Sequence, residues 1–423
     1  MLPKQIGSYT YYDFCRFCYS KNVSPVLNLG IMPLAGGFLK SLSAKTLEKE
    51  NYYPLDLMVC QSCFLVQTNV VINADVLFKE YFYFSSKIET LANHFKQIAE
   101  DIPSKFSDKK KRFIFEIGCN DASFIQAVQE IGYDILGIDP ASNVVIPLIK
   151  KGLPIINEYF SAEIAKKIVK KYGKADAVYS FNTLAHIENM HDVFIGIATL
   201  LKDDGYVVFE THYLGNLLKQ TQYDMIYHEH QYYYSLIAIE KFLAMHHMHV
   251  FNVELIPTHA GSIRFSVQKN IGKRKISEAV KKLERKEKQQ KLHTMQPYKQ
   301  FAKKIEKAKK ELLELLTKLK QKKSRIAGYG VSGRGTIISN YCNLDTTLLT
   351  CVLDDSPIKQ HIFMPGVHLP TYSSQMLYEK NKPDYVILFA WSFVEEIKKR
   401  HKTFLENGGK FIIPLPKVKI IKK

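Results

Sequence analysis

Phe113-Ile-Phe-Glu-Ile-Gly-Cys-Asn-Asp-Ala-Ser123 decides the fold. Apolar residues run into Glu116, a single glycine follows, and Phe124, Ala127 and Val128 then recur at helical spacing. A buried strand, a tight turn and a helix start open a βαβ unit. Residues 135–139 (Ile-Leu-Gly-Ile-Asp) read as the next strand, with an acid at its carboxyl end. In doubly wound sheets a ligand lies across these strand ends, and the second acid takes ribose hydroxyls. A short third strand is expected at 155–160 and a fourth at 176–180. A helix at 192–201 and an Asp203-Asp204-Gly205 turn then lead to a fifth strand at 206–210. Such alternation predicts an α/β sandwich.

The turn itself constrains the ligand. A pyrophosphate-binding fingerprint needs Gly-x-Gly-x-x-Gly so that backbone can approach phosphate. Here one glycine is followed by Asn120, Asp121 and Ala122, and Glu116 adds a charge that repels phosphate and attracts a cation. A cofactor with ribose, adenine and positive charge fits better than a dinucleotide. S-adenosylmethionine has those features, and the stretch resembles motif I of class I methyltransferases. Asn157 and its neighbours to Phe160 are placed to meet the adenine.

The 423 residues allow two or three domains with full cores. No apolar run is long enough to span a bilayer, and residues 1–20 lack the apolar core of a signal peptide. Seven cysteines, four of them in two Cys-x-x-Cys pairs, suit a reducing compartment, so a cytoplasmic protein without membrane association is expected. The formal charge of +18 permits an anionic partner. Much of the excess lies between Lys269 and Arg325 with no interleaved stacking aromatics, so it reads as a solvated helical face, and no nucleic-acid partner is expected.

Cys15-Arg-Phe-Cys18 and Cys60-Gln-Ser-Cys63 are paired knuckles. Four thiolates from two such pairs make a closed tetrahedral site without an open position, hence a structural zinc. The gap between the pairs predicts a loop-rich insert over 26–53. In Glu80-Tyr-Phe-Tyr-Phe-Ser-Ser86, Tyr81 and Tyr83 either pack or lie over a ligand; packing is the simpler reading. Residues 88–101 carry the period of an amphipathic helix.

After the fifth strand the regular pattern stops. Residues 223–235 crowd tyrosines around His228, Glu229 and His230 without amphipathic period. Such a patch beside a cofactor site is a candidate for acid–base chemistry. His-Glu-His lacks the spacing that places two imidazoles on one helical face, so a general base ranks above a hydrogen-bond cluster and a metal. His246, His247 and His249, in a stretch read as helical, are assigned no role. A helical stripe runs from Phe301 through Ile305, Ala308, Leu312, Leu315 and Leu316 to Leu319 and is expected in the core. From Arg325 a second strand, glycine-rich turn (Gly328-Tyr-Gly330-Val-Ser-Gly-Arg-Gly335) and helix begin another Rossmann-like unit. Its glycines serve phosphate approach or packing equally well.

Together these pieces resemble the S-adenosylmethionine-dependent C-methyltransferases that act on nucleotide-linked deoxyketosugars. The likeness spans nearly the whole chain: both knuckles, Tyr83-Phe-Ser-Ser86, Glu116–Asp121, Asn182-Thr-Leu-Ala-His186, Tyr227-His-Glu-His230, Gly328-Tyr-Gly330, Asp354–Gln360 and Met364-Pro-Gly366. It implies a zinc-binding domain (1–75), a methyltransferase domain (76–265), and a helical linker with a C-terminal Rossmann-like domain (266–423). It places Glu116, Gly118, Asn120 and Asp121 at the methionine end of the cofactor and Asp139 at its ribose, with Pro140, Asn157 and Asn182 completing the pocket. His230 becomes the base, with Tyr227, Glu229, His186 and Tyr83 around it. Tyr81, Gly328, Tyr329, Gly330, Ser332, Arg334 and Lys359 face the sugar nucleotide. Ala122, Ala260 and His361 stand where the family usually has glycine; the last two are expected to alter the sugar or nucleotide site. An NAD-linked oxidoreductase using the C-terminal glycine loop, a zinc-bearing RNA methyltransferase and a non-catalytic scaffold are the rival readings. A monomer is expected, since no exposed apolar seam stands out.

Overall fold

The structure, a computed structural model, describes residues 2–78, 89–106, 108 and 110–422. Tyr81 and Tyr83 lie outside the described residues.

The N-terminal unit is built on a long antiparallel ribbon. Strand β1 (Val23–Pro33) pairs with β2 (Tyr52–Cys60), and β3 (Val66–Thr68) adds to the far side of β2. Leu55, Leu57 and Val59 are buried at period two, as one covered sheet face requires. The two ends of the expected loop-rich insert, residues 26–33 and 52–53, are therefore strand, and the stretch between them is mostly loop. Pro25, Asn28 and Gly30 interrupt the alternation in sequence, and the ladder absorbs them as irregularities at Pro25/Leu27 and Asn28/Ile31. A small sheet of Lys4–Ile6, Tyr9–Tyr11 and Val70–Ile72 closes this unit.

The central unit opens with α1 (Glu89–Asp101), which buries Leu91, Phe95 and Ile98 as its periodicity predicted. Then come β4 (Phe113–Ile117), α2 (Ser123–Glu130), β5 (Asp134–Ile138), β6 (Ile155–Ile156), β7 (Ala175–Phe181), α3 (Met190–Leu200) and β8 (Leu201–His212). They are followed by β9 (Tyr232–Tyr233), α4 (Leu236–Ala244), β10 (Met248–Ile256) and β11 (Ser262–Lys269). The seven-stranded sheet has the order β10-β11-β8-β7-β4-β5-β6, with β11 antiparallel to both neighbours. Every residue of β7 is buried, as a strand covered on both faces requires.

Three sequence expectations are corrected here. The third strand is only two residues long. Asp203-Asp204-Gly205 are not a turn ahead of the fifth strand: they bulge within β8, since Ala175 pairs with Leu201 and Ala177 already with Tyr206. The stretch holding His246, His247 and His249 is not helical throughout. Helix α4 stops at Ala244 and β10 begins at Met248, because pairing with β11 from Met248↔Lys269 to Ile256↔Ser262 overrides local propensity.

Helices α5 (Glu278–Gln289) and α6 (Gln296–Gln321) lead to the C-terminal unit. On α6 the predicted stripe is buried except for Leu315, which is half-buried, and the lysines remain on the outer side. The last unit comprises β12 (Ile326–Tyr329), α7 (Gly333–Tyr341), β13 (Val352–Asp354), β14 (Thr371–Ser373), β15 (Tyr385–Leu388), β16 (Lys410–Ile413) and β17 (Lys419–Ile421). Its order, β14-β13-β12-β15-β16-β17, is that of a dinucleotide-binding fold with an antiparallel last strand. The units interlock. Strand β9 leaves the central unit to pair with β3, so it is the fourth strand of the N-terminal sheet. One apolar core joins β1 and β2 to α6 and the C-terminal sheet.

Candidate active site

The loops after β4, β5, β7 and β8 meet at one edge of the central sheet. Gly118 has φ +77°, and a Cβ there would lie 2.1 Å from Thr183 Oγ1, so only glycine lets the β4 and β7 loops touch. Asn120 and Asn182 are also left-handed. The Asp139 carboxylate accepts the N–H groups of Asn120 and Ala141 at 3.0 and 2.9 Å. Asn157 donates to the Asp139 carbonyl at 3.0 Å and accepts from Ser142. Asp121 accepts from Ser123. A cavity of about 500 Å³, in the range of small-molecule sites, opens beside Pro140, Ser142, Asn157 and Tyr159.

Glu116 is buried at the floor of this edge, with one carboxylate oxygen that no hydrogen bond satisfies. Burial, then the charges of Asp139 and Asp121, push its carboxyl well above the usual range. A buried acid among acids suits a cationic ligand. The ammonium and sulfonium groups of S-adenosylmethionine supply that charge, so these residues fit the cofactor.

Beside this edge the irregular segment at 223–235 folds back. His230 is 6% exposed, and its Nδ1 lies 2.9 Å from the Met225 carbonyl. A carbonyl only accepts, so Nδ1 carries a proton, and in the neutral tautomer this contact selects, the basic nitrogen is Nε2. The rings of Tyr227, His212 and His186 surround it at centroid distances of 4.0, 4.9 and 5.1 Å. His186 donates from Nδ1 to the Glu229 carbonyl at 2.7 Å, and burial holds its pKa below the usual value. The Glu229 carboxyl looks toward Gly36 of the N-terminal unit, and burial raises its pKa to about 7. His228 turns away. Its Nε2 meets the Pro54 carbonyl at 3.2 Å, its ring packs edge-on to Tyr53, and burial lowers its pKa to about 4.

Sequence reading passed over His212 and Glu210, although both sit at the carboxyl end of β8, where ligands of doubly wound sheets bind. Glu210 is 1% exposed and accepts from His94 of α1 and Arg264 of β11 at 2.8 and 2.7 Å. Its carbonyl accepts the Asn182 N–H.

The C-terminal glycine loop touches the 223–235 segment through Arg334. Its first glycines have packing reasons: a Cβ on Gly328 would lie 2.6 Å from the Phe389 ring, and one on Gly330 2.9 Å from Ala390. Ser332 caps α7. The Tyr329 hydroxyl donates to Asp355 at 2.6 Å. Arg334 reaches out of its own unit to the buried Asp224 carboxylate at 2.7 Å, which also accepts from Trp391 Nε1 at 2.8 Å. Lys359 follows β13 in a single 3-10 turn. A cavity of about 690 Å³ runs between the ends of β10 and β11 and the C-terminal unit, past Trp391, Ser392 and Lys417.

The four knuckle cysteines converge as expected, with all four sulfurs within 4.8 Å of one another. Cys15 and Cys63 are 3.4 Å apart and Cys18 and Cys60 3.6 Å, close to the roughly 3.8 Å edge of a tetrahedron with 2.3 Å zinc–sulfur bonds. Contacts from Cys15 and Cys63 favour the Cys60 thiolate. The residues fit a structural zinc.

Family models match three consecutive stretches: a zinc binding domain over 15–78, a methyltransferase domain over 91–246, and a C-methyltransferase C-terminal domain over 257–416. The C-methyltransferase NovU of Streptomyces niveus is 30% identical over 409 residues, 97% of this chain and 97% of its own. Among solved structures, a SAM dependent methyltransferase from Archaeoglobus fulgidus is 15% identical and covers 42% of this chain and 94% of its own, with a TM-score of 0.34. Magnesium protoporphyrin IX methyltransferase from Synechocystis PCC 6803, solved with bound SAH, is 14% identical over 42% of this chain and 83% of its own, with a TM-score of 0.33. Matched end to end by a single relative, and part by part by the family models, the chain belongs to the S-adenosylmethionine-dependent C-methyltransferases.

Proposed function

We propose that the chain methylates the carbon beside a ketone in a nucleotide-linked deoxysugar, C-3 of a 4-keto sugar. The observation that carries this reading is the geometry of His230: its Nδ1–H is held by the Met225 carbonyl, and Tyr227 packs against its ring. A ketone acidifies the adjacent C–H. The Nε2 lone pair of His230 takes that proton, and the C–H electron pair moves toward the carbonyl oxygen as an enolate. The Tyr227 hydroxyl donates to the developing oxyanion. The Nδ1–H of His186 is committed to the Glu229 carbonyl. The bound cofactor supplies an electrophilic methyl group for the enolate carbon. Glu116, Asp139 and Asn182 orient it from the sheet edge.

The sugar nucleotide lies between the central and C-terminal units, its diphosphate toward residues 330–334 and Lys359. A cavity between the two units, beside Trp391 and Lys417, is in keeping with a ligand bound between them, although residues 330–334 and Lys359 do not line it.

The test is turnover of thymidine and guanosine diphosphate 4-ketosugars by wild type and His230→Ala. The variant is expected to lose about 10²–10⁴-fold in kcat, the usual contribution of a general base. Its affinity for S-adenosylhomocysteine stays at the wild-type value. Unchanged turnover removes His230 as the base. Methylation of RNA with none of either ketosugar overturns the substrate class.

A further inference from the structure

Arg16 lies between two metal ligands, Cys15 and Cys18, yet its side chain works in the central unit. It is 5% exposed. One terminal nitrogen donates to the Gln231 side-chain oxygen at 2.8 Å; the other donates to the Gln231 and Thr68 carbonyls, both at 2.9 Å. Its guanidinium covers the Tyr232 ring at 4.4 Å and the Tyr12 ring at 5.1 Å. All of these direct partners are neutral, so the guanidinium is held by geometry and not by an ion pair.

Gln231 is the residue after His230, and it is 2% exposed. Its N–H donates to the Ala185 carbonyl and its side-chain amide to the His186 carbonyl, both at 2.8 Å. Its own carbonyl also accepts the Thr68 N–H at 3.1 Å. Gln231 thus bonds on one side to the metal knuckle and β3, and on the other to the loop carrying His186. Phe17, also between the knuckle cysteines, stacks on Phe242 at 4.1 Å and packs on Tyr232 at 5.3 Å, which locks the segment just after His230.

We propose that Arg16 is a positioning residue for methyl transfer: through Gln231 it sets His230 and His186 relative to each other, so that the zinc knuckle fixes the geometry of proton abstraction. The inference rests on His230 being the base. A misplacement of about 1 Å at a reacting group costs on the order of 10²-fold. A lysine at position 16 keeps the charge but cannot present a planar fork to three acceptors.

The test uses the full-length zinc-loaded protein with Arg16→Lys and, independently, Gln231→Glu. The second substitution keeps an acceptor for Arg16 but removes the donor to the His186 carbonyl. For Arg16→Lys the expected result is a kcat lower by about 10–100-fold. KM for both substrates, S-adenosylhomocysteine affinity and zinc content stay at wild-type values, while the ¹⁵N-imidazole signals of His230 and His186 shift. Gln231→Glu is expected to move the His186 signal with zinc retained, and it decides the matter if Arg16→Lys fails to fold. Wild-type imidazole spectra in both folded variants, or in Gln231→Glu alone, overturn the proposal. So does a kcat loss matched by lost zinc or cofactor affinity. The spectra need no turnover. A wild type inactive on ketosugars therefore sinks the functional reading, while the spectra still judge the positioning.

Discussion

Ala122 is fully buried and left-handed, with φ +63°, at the N-cap of α2. An L-residue with a Cβ is strained there by roughly 1–2 kcal/mol, and glycine is not. Ala122→Gly is expected to stabilise the protein by about 0.5–1 kcal/mol after the greater unfolded-state freedom of glycine is subtracted. Urea denaturation checks this; a loss of stability removes the strain argument. Ala260 and His361 are left-handed too, with φ of +65° and +60°. At all three positions the backbone is one that glycine adopts without strain, and Ala260 also lines the cavity beside Trp391. His228 gives a pH prediction. Its folded pKa, about 4, lies below the unfolded value near 6.5. The unfolded chain binds more protons between those values, so this residue's contribution is present above about pH 6.5 and disappears as pH falls toward 4, by about 3 kcal/mol at most. Glu229 and Glu287, raised to about 7 by burial, act in the opposite direction as pH rises through that range. The comparison is therefore between wild type and His228→Phe: the variant's stability is expected to fall less on acidification from pH 6.5 to 4.5. Parallel stability profiles exclude the assignment.

At the scale of elements, the Asp224–Arg334 pair ties the 223–225 turn to the C-terminal glycine loop. The 3-10 turn Tyr223–Met225 presents Asp224, 0% exposed, to Arg334 on α7 and to Trp391. Asp224→Ala leaves a largely buried guanidinium without its anion, and about 2–4 kcal/mol of stability is expected to go. Adding Arg334→Met removes the stranded charge and recovers part of it; thermal melts of single and double variants test this, and an unchanged single variant excludes the clamp. Elements with one strong local period were legible in the sequence. The α6 stripe and the β4 strand and turn were read correctly because burial on one face dictates their residue spacing. Strands β1 and β10 were not. Their hydrophobic pattern is interrupted, and what makes them strands is the partner, β2 or β11, that pairs with them.

At the scale of the molecule, the metal knuckles serve as a joint as well as a staple. The N-terminal sheet is completed by β9 from the central unit, and Glu50 reaches the Gly366 N–H and His368 of the C-terminal unit at 2.7 Å each. Losing the metal should therefore weaken more than residues 1–75. Cys60→Ser is expected to lose zinc by metal analysis and lower the melting temperature by at least about 5 °C. An equal melting temperature without metal would show that the knuckles are dispensable. Most lysines of α6 are exposed opposite its apolar stripe, in line with a solvated face, and among the described residues no helix is long and apolar enough to cross a membrane.

Chain-local chemistry was determined by the sequence alone. The spacing of the cysteine pairs names a four-thiolate site, and the strand running into Glu116 and Gly118 names a βα turn that disfavours pyrophosphate. The crowding of Tyr227, Glu229 and His230 marks a candidate acid–base segment. Only the tertiary structure decided which histidine of the pair faces inward, that His212 joins it, and that Arg16 reaches Gln231 across 215 positions of sequence. The physical reason is that spacing reports only which neighbours along the chain share a face. Contacts between distant segments are set by sheet pairing and packing, which no local period encodes.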